Sequence, residues 1–299
     1  MAAEGAGFEE SEFWYDNLEK HIGWKNIGKI LCSHVTQPGD TEGKPELKEA
    51  YELASVGFRE IVLTGIEIDS WGKDLGDYRL CDLLERIDTI DGIERIRLGS
   101  LDPSFMTPQN IERLASLKHL TPHFHMSIQS GCDKTLAAMR RKYNTQMLKS
   151  RMDNIRAQIP NVTFTTDIMT GFPGESDADF DNTCAFVQNA DFLDAHIFTY
   201  SRRPGTEADK MSGHIPEQIK AERATRLEKI CSEISAKVRE SFLGQRMPVL
   251  VEKFENGMSV GHTPNYIEVC FESFDDLRGQ TVTVELSALS DTNLIKAKF

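Results

Sequence analysis

Between residues 27 and 242 the chain alternates short apolar runs with amphipathic stretches about six times, and this alternation limits the fold more than any other feature. The segments REIVLTG (59–65), RIRLGSLDP (95–103), HFHMSIQ (123–129), NVTFTTDIMTG (161–171) and AHIFTYS (195–201) read as strands. A further strand is expected around residues 27–32. Between them lie stretches with apolar residues at helical spacing and recognisable ends. Pro45 opens one and Gly57 closes it; Thr107 and Pro108 open another; Asn144 and Ser176 stand where N-caps belong, and Asp133 stands at the start of a helix after Gly131. The intervening helices are long enough to serve as crossovers, so the strands should lie parallel. Six units are too few for a closed eightfold barrel. An open (β/α)6 partial barrel or a doubly wound sheet remains.

After a long helix expected at about 216–242 the texture changes. PVLVEKF, NYIEVCF and QTVTVEL are short alternating strands, and Glu255-Asn256-Gly257 marks a tight turn. This predicts a small antiparallel β-barrel. The expected organisation is an irregular N-terminal segment, 1–43, a (β/α) domain, 44–242, and the small barrel, 243–299. Phe13, Trp14, Tyr15 and Leu18 could share one face of a short helix in the first of these.

In parallel α/β folds ligands bind at the carboxyl ends of the strands. Here five successive strand ends carry small or polar residues: TGIEID (64–69), SLDPS (100–104), Ser127 with Gln129, GFPGE (171–175) and YSRRPGT (200–206). That convergence favours a polar ligand pocket. In GFPGE, two glycines let the backbone approach a ligand and present amides at a helix N-terminus, while Asp167 and Glu175 supply acceptors. His123 and His125 share one strand face and are expected to be exposed or hydrogen-bonded. P-loop, serine-hydrolase and zinc-helix patterns are absent.

The net charge is −13. A broadly basic nucleic-acid surface is therefore excluded, although a local patch is not. In the small barrel, Arg246, Lys253, Arg278, Lys296 and Lys298 are outnumbered by acidic residues, so it should bind RNA only weakly by itself. Arg140, Arg141, Lys142, Arg202 and Arg203 could assist it. No apolar run spans a membrane, and MAAEGAGFEE lacks the order of a secretory signal, so a cytoplasmic location is expected. The cysteines, Cys32, Cys81, Cys132, Cys184, Cys231 and Cys270, are scattered and form no CxxC or CxxxC pair.

The blocks EIVLTGIEIDSWGKDL, RIRLGSLDP, PHFHMSIQSGCDKTLAAMRRKY, TTDIMTGFPGES, FTYSRRPGTEADKM and GHTPNYIEV occur in order. Together they resemble the radical S-adenosylmethionine methylthiotransferases over residues 45–299. The wordings QSGCD and GHTxNY favour the branch that modifies N6-threonylcarbamoyladenosine at position 37 of tRNA. The resemblance implies an open (β/α)6 partial barrel followed by an RNA-binding TRAM barrel, with S-adenosylmethionine as cofactor and tRNA as partner. It places Thr64, Gly65, Ser127, Gln129, Arg141, Asp167, Gly171, Gly174 and Glu175 around the cofactor. It places Gly261, His262, Thr263, Asn265 and Tyr266, with help from Arg202 and Arg203, against RNA. Relatives of this kind carry CxxxCxxC after the first strand to hold a [4Fe–4S] cluster. Here LCSHVTQPGDTEG offers only Cys32. The family's N-terminal domain, with three further cluster cysteines, has no counterpart beyond residues 1–26. The expectation is a divergent or truncated member, inactive alone; the alternative is a non-catalytic tRNA- or S-adenosylmethionine-binding protein on the same scaffold.

Overall fold

The computed structural model describes residues 45–65, 67–73, 78–290 and 292–299, together with the backbone of 27–31. The expected helix near Phe13 and the loop holding Cys32 lie outside these residues.

Six parallel strands form the first architecture. β1 (Ile27–Leu31), β2 (Glu60–Thr64) and β3 (Arg95–Leu98) make one ladder, and β4 (His123–Gln129), β5 (Thr163–Thr170) and β6 (Asp194–Thr199) make a second. Bridges Ile96–Leu120 and Leu101–Met126 join the two. Among the described residues β1 and β6 do not pair, so the arc is open, as the resemblance implied. Helices α1 (Pro45–Ser55), α2 (Leu80–Ile87), α3 (Pro108–Ser116), α4 (Asp133–Ala138), α5 (Thr145–Gln158) and α6 (Asp177–Gln188) fall between the strands. A short α7 (Glu207–Lys210) and the long α8 (Glu217–Glu240) follow β6.

Strand periodicity sorts the side chains into two layers. Ile61, Leu63, Ile96, Phe124, Met126, Ile128, Phe164 and Ile168 are fully buried in one core with the apolar sides of the helices. Each such burial contributes about 1.5–3 kcal/mol. The alternate positions turn a polar row inward: Glu60, Arg95, Arg97, His123, His125, Ser127, Thr165 and Asp167.

The caps explain where several helices begin. Thr107 accepts from the Asn110 amide, Asn144 from Met147, and Ser176 and Asp179 form a reciprocal capping box. Asp133 does not cap α4. Cys132 occupies the N-cap position without a side-chain capping bond, and the Asp133 carboxylate instead accepts from the Thr145 amide, tying α4 to α5.

Residues 246–298 form a closed five-stranded barrel in the order β10 (Thr281–Leu289), β11 (Ile295–Lys298), β9 (Glu268–Glu272), β8 (Met258–His262) and β7 (Arg246–Glu255). Asn256 and Gly257 both have positive φ, which the tight β7–β8 hairpin needs. The expectation of a wholly antiparallel barrel requires one correction: β9 and β11 pair in parallel, because the connection through β10 returns the chain in the same direction. Two of the strands, β8 and β11, were not read from the sequence. They are short, and β8 contains Gly261.

Candidate active site

The small barrel packs against the amino-terminal ends of the strands, opposite the edge where ligands were expected. Arg95 donates to the carbonyls of His262 (3.2 Å) and Pro248 (3.4 Å), and Arg97 to that of Pro264 (3.4 Å). Thr163 donates to the Asn265 carbonyl, and the Asn265 amide nitrogen to the Asn161 carbonyl. Tyr266 lies between the rings of His123 (4.5 Å) and His262 (4.9 Å), with the Arg97 guanidinium 4.9 Å from its centre. Glu60 pairs with both arginines, at 2.8 Å to Arg97 and 3.5 Å to Arg95. Burial alone would push its carboxyl up, but the two guanidiniums hold it below the ordinary value.

GHTPNY is therefore a seam motif in this structure. Thr263 and Asn265 have no exposed surface, which corrects the expectation that they face RNA. Gly261 is required by close packing: a Cβ there would lie 1.9 Å from the Leu250 carbonyl oxygen. His262 binds Glu252 at 2.9 Å. Arg202 is exposed and paired with Asp209 at 2.7 Å, and Arg203 is exposed.

The carboxyl edge holds the other predicted residues, and they separate into two groups. Ser127 and Asp167 meet directly, Ser127 Oγ donating to Asp167 Oδ2 at 3.2 Å. His125 Nε2 lies 3.0 Å from the same oxygen, and His196 Nδ1 lies 3.4 Å from Oδ1. Burial tends to raise the Asp167 carboxyl, yet the bonds from His125 and Ser127 outweigh it and keep the group below its usual value. Tyr143 donates to the carbonyls of Ser127 and Ile128 and so pins the end of β4. Gln129 closes that strand at φ 65°, a left-handed conformation uncommon for its residue type. Arg141 stands 3.6 Å from Asp102 in the SLDPS turn. Thr64 is buried at the end of β2, beside Gly99.

Gly171, Gly174 and Glu175 form the second group, and their local role differs from the one expected. Glu175 Oε2 accepts from the amides of Gly171 (2.6 Å) and Phe172 (3.2 Å), while Oε1 faces Arg223 at 3.3 Å. The Gly174 amide donates to the Gly213 carbonyl. The amides expected to receive a ligand are thus satisfied within the loop. A Cβ on Gly171 would sit 2.1 Å from Lys220 Cγ, so that glycine makes room for α8. Buried amides need partners, and here an internal carboxylate supplies them.

Sequence reading missed His125, Thr165, His196 and Phe198 as site residues. The period of two on β4 placed His125 beside Ser127, but only strand register brings Thr165 and Asp167 of β5 opposite them.

Cofactor fit can be judged from the donors present. The five described cysteines are free and buried, four of them on four different elements and Cys132 at the N-cap of α4. Cys132 is one of them, with its thiol 3.6 Å from Asp179 Oδ1. Among the described residues no three His, Cys, Asp or Glu side chains are grouped to hold a metal ion. Among the described residues no three thiolates meet, and in the sequence Cys32 follows β1. Ser127 and Asp167, bonded to each other, and Arg141, paired with Asp102, are the hydrogen-bonding groups of this edge. Among the described residues no helix is long and apolar enough to cross a membrane.

Residues 45–187 match the profile of the Radical SAM superfamily. The chain is 34% identical over 246 residues to a threonylcarbamoyladenosine tRNA methylthiotransferase of Bacillus subtilis, a match covering 80% of this chain and 54% of that protein. It is 38% identical over 276 residues to a tRNA-2-methylthio-N(6)-dimethylallyladenosine synthase of Chloroflexus aurantiacus, covering 89% of this chain and 59% of the relative. It spans little more than half the length of these curated relatives. Among solved structures, coproporphyrinogen III oxidase from Escherichia coli, a radical SAM enzyme, superposes with a TM-score of 0.51 at 11% identity, covering 73% of this chain and 56% of that one. That likeness concerns the fold.

Proposed function

The chain belongs to the radical SAM superfamily, within its tRNA methylthiotransferases, and from that premise we propose that it serves the 2-methylthiolation of N6-threonylcarbamoyladenosine at position 37 of tRNA. The observation that carries this reading is the ordered set of motif blocks from residue 60 to residue 269, on a scaffold whose interior is lined with hydrogen-bonding groups. QSGCD and GHTPNY favour the threonylcarbamoyl substrate over the dimethylallyl one. S-adenosylmethionine is the proposed small ligand, with Thr64, Gly65, Ser127, Gln129, Arg141 and Asp167 around it. Gly174 has positive φ and open space where a Cβ would stand, so it stays within that set. Arg202, Arg203 and the exposed faces of the small barrel are the proposed tRNA contacts.

The same reading holds that this chain does not start radical chemistry alone. One thiolate after β1 cannot hold the cluster that cleaves the cofactor. The chain's own residues supply binding and orientation: Asp167 held as an ionised acceptor, the Ser127 carbonyl pinned by Tyr143, and the two architectures locked at the seam.

Two measurements on the full chain test the reading. Binding to tRNA bearing threonylcarbamoyladenosine should exceed binding to the same tRNA without it; equal affinity or no binding would remove the substrate assignment. Anaerobic treatment with iron and sulfide, followed by S-adenosylmethionine and a one-electron reductant, should give neither cluster absorbance nor 5′-deoxyadenosine. Appearance of both would overturn the claim of inactivity and leave the family reading standing.

A further inference from the structure

The polar interior of the strand arc has a direction, set from the seam. Arg97 carries only donors, so His123 Nδ1, 3.4 Å from Arg97 Nη1, must accept. Burial, with Arg97 next to it, holds the His123 imidazole well below its ordinary pKa, and the ring is neutral. Its single proton is therefore on Nε2, which faces Thr165 Oγ1 at 3.0 Å. Thr165 Oγ1 accepts there and also lies 2.9 Å from His125 Nδ1. An ionised carboxylate only accepts, so His125 Nε2 donates to Asp167 Oδ2 at 3.0 Å. Ser127 donates to the same oxygen. Two donors converge on Oδ2, and Oδ1 points toward the open side of the arc at His196.

His196 is 73% exposed in its side chain, and its ring stacks on Phe198 at 5.5 Å and 25°. A flat aromatic surface therefore borders an ionised acceptor whose second oxygen is held by protein donors. Base rings stack on such surfaces, and an exocyclic N–H completes the pairing with a carboxylate.

We propose that Asp167 Oδ1 and the His196–Phe198 pair form a recognition site for a 6-aminopurine, the ring lying on His196 and the amine donating to Asp167. This deepens the reading above, since both ligands proposed there carry adenine: S-adenosylmethionine and an unpaired adenosine of tRNA.

The convergence on Oδ2 gives the proposal a sharp test. In Asp167→Asn the amide oxygen must face His125 and Ser127, so the NH2 turns outward and the site changes from acceptor to donor. Calorimetry or NMR titration of the full chain with adenosine, inosine and purine riboside reads this change. Adenosine should weaken roughly ten- to hundredfold, purine riboside should stay within about twofold, and inosine, with a 6-oxo acceptor, should strengthen. His196→Ala, at an exposed position that should leave the fold intact, should weaken all three purines. The proposal is overturned if adenosine does not bind the wild-type chain, if Asp167→Asn shifts all three purines alike or none, or if His196→Ala leaves them unchanged. Repeating the comparison with S-adenosylmethionine and with an oligoribonucleotide containing one unpaired adenosine tells the two sources apart, because only the ligand that uses the site loses affinity in Asp167→Asn. Loss of the nucleoside discrimination while modified tRNA still binds selectively counts against this site alone; discrimination without tRNA binding counts against the functional reading alone.

Discussion

Glycine and asparagine, read residue by residue, carry different duties here from those their motifs suggested. Gly261 lies in the GHTPNY motif, yet its lack of a side chain serves the packing of β8 on β7. The obstructing atom is a backbone carbonyl, which cannot rotate away. Gly261→Ala should therefore destabilise the chain by about 2–4 kcal/mol, read as a shift in the urea midpoint. An unchanged midpoint would mean that the strands separate at little cost, contrary to the closed barrel. Asn265 shows the same displacement of role. Its side-chain nitrogen reaches across 104 positions of sequence to the Asn161 carbonyl, and its backbone carbonyl accepts from Thr163. Asp167 is the converse case: an ordinary-looking strand residue that neighbouring donors turn into a directed acceptor.

At the scale of elements, the turn after β5 is braced by one carboxylate. Glu175 gathers the Gly171 and Phe172 amides on one oxygen and faces Arg223 of α8 with the other, and both side chains are less than a tenth exposed; burial pushes the Glu175 carboxyl up, against the amides and Arg223. Removing one partner of such a pair leaves the other charge buried without full compensation. Glu175→Gln should lower stability by about 2–4 kcal/mol. Because an amide keeps one acceptor, the change should be felt first in the loop: the Gly171 and Phe172 amides should exchange with solvent faster than in the wild type. Unchanged exchange at those two amides would show that the brace is not what holds the turn. The element is thus a joint between β5 and α8, and its glycines open space for the Lys220 stem as well as for a turn.

At the scale of the whole molecule, the seam joins the strand arc to the small barrel through buried polar groups, and this ties stability to pH. His123 is packed against Tyr266, and Arg97, His125 and His262 are the charged or titratable groups that disfavour its protonation after burial itself. Below its ordinary value of 6.5 the unfolded chain takes up a proton that the folded chain refuses, so stability should fall as pH drops from neutrality. Melting temperature should decline between about pH 7 and pH 5, and His123→Phe, which keeps the stack and removes the titrating group, should flatten that decline. Equal slopes for the two proteins would sink the assignment. Much of this architecture was legible in the chain itself. Period-two and helical spacings with Thr107, Asn144 and Ser176 as caps located the strands and most helices, because those signals are local. The change of texture after Gly244 announced a second β-rich unit for the same reason. Local pattern also put His123, His125, Ser127 and Gln129 on one face. It could not say that GHTPNY would be buried against the amino ends of the strands, that Glu175 would be consumed by its own loop, or that β9 and β11 would pair in parallel. Those outcomes depend on groups far apart in sequence competing for the same partners. The hydrogen-bond chain from Arg97 to Asp167 is of the same kind: residue types supplied its donors and acceptors, and only the register of β3, β4 and β5 aligned them.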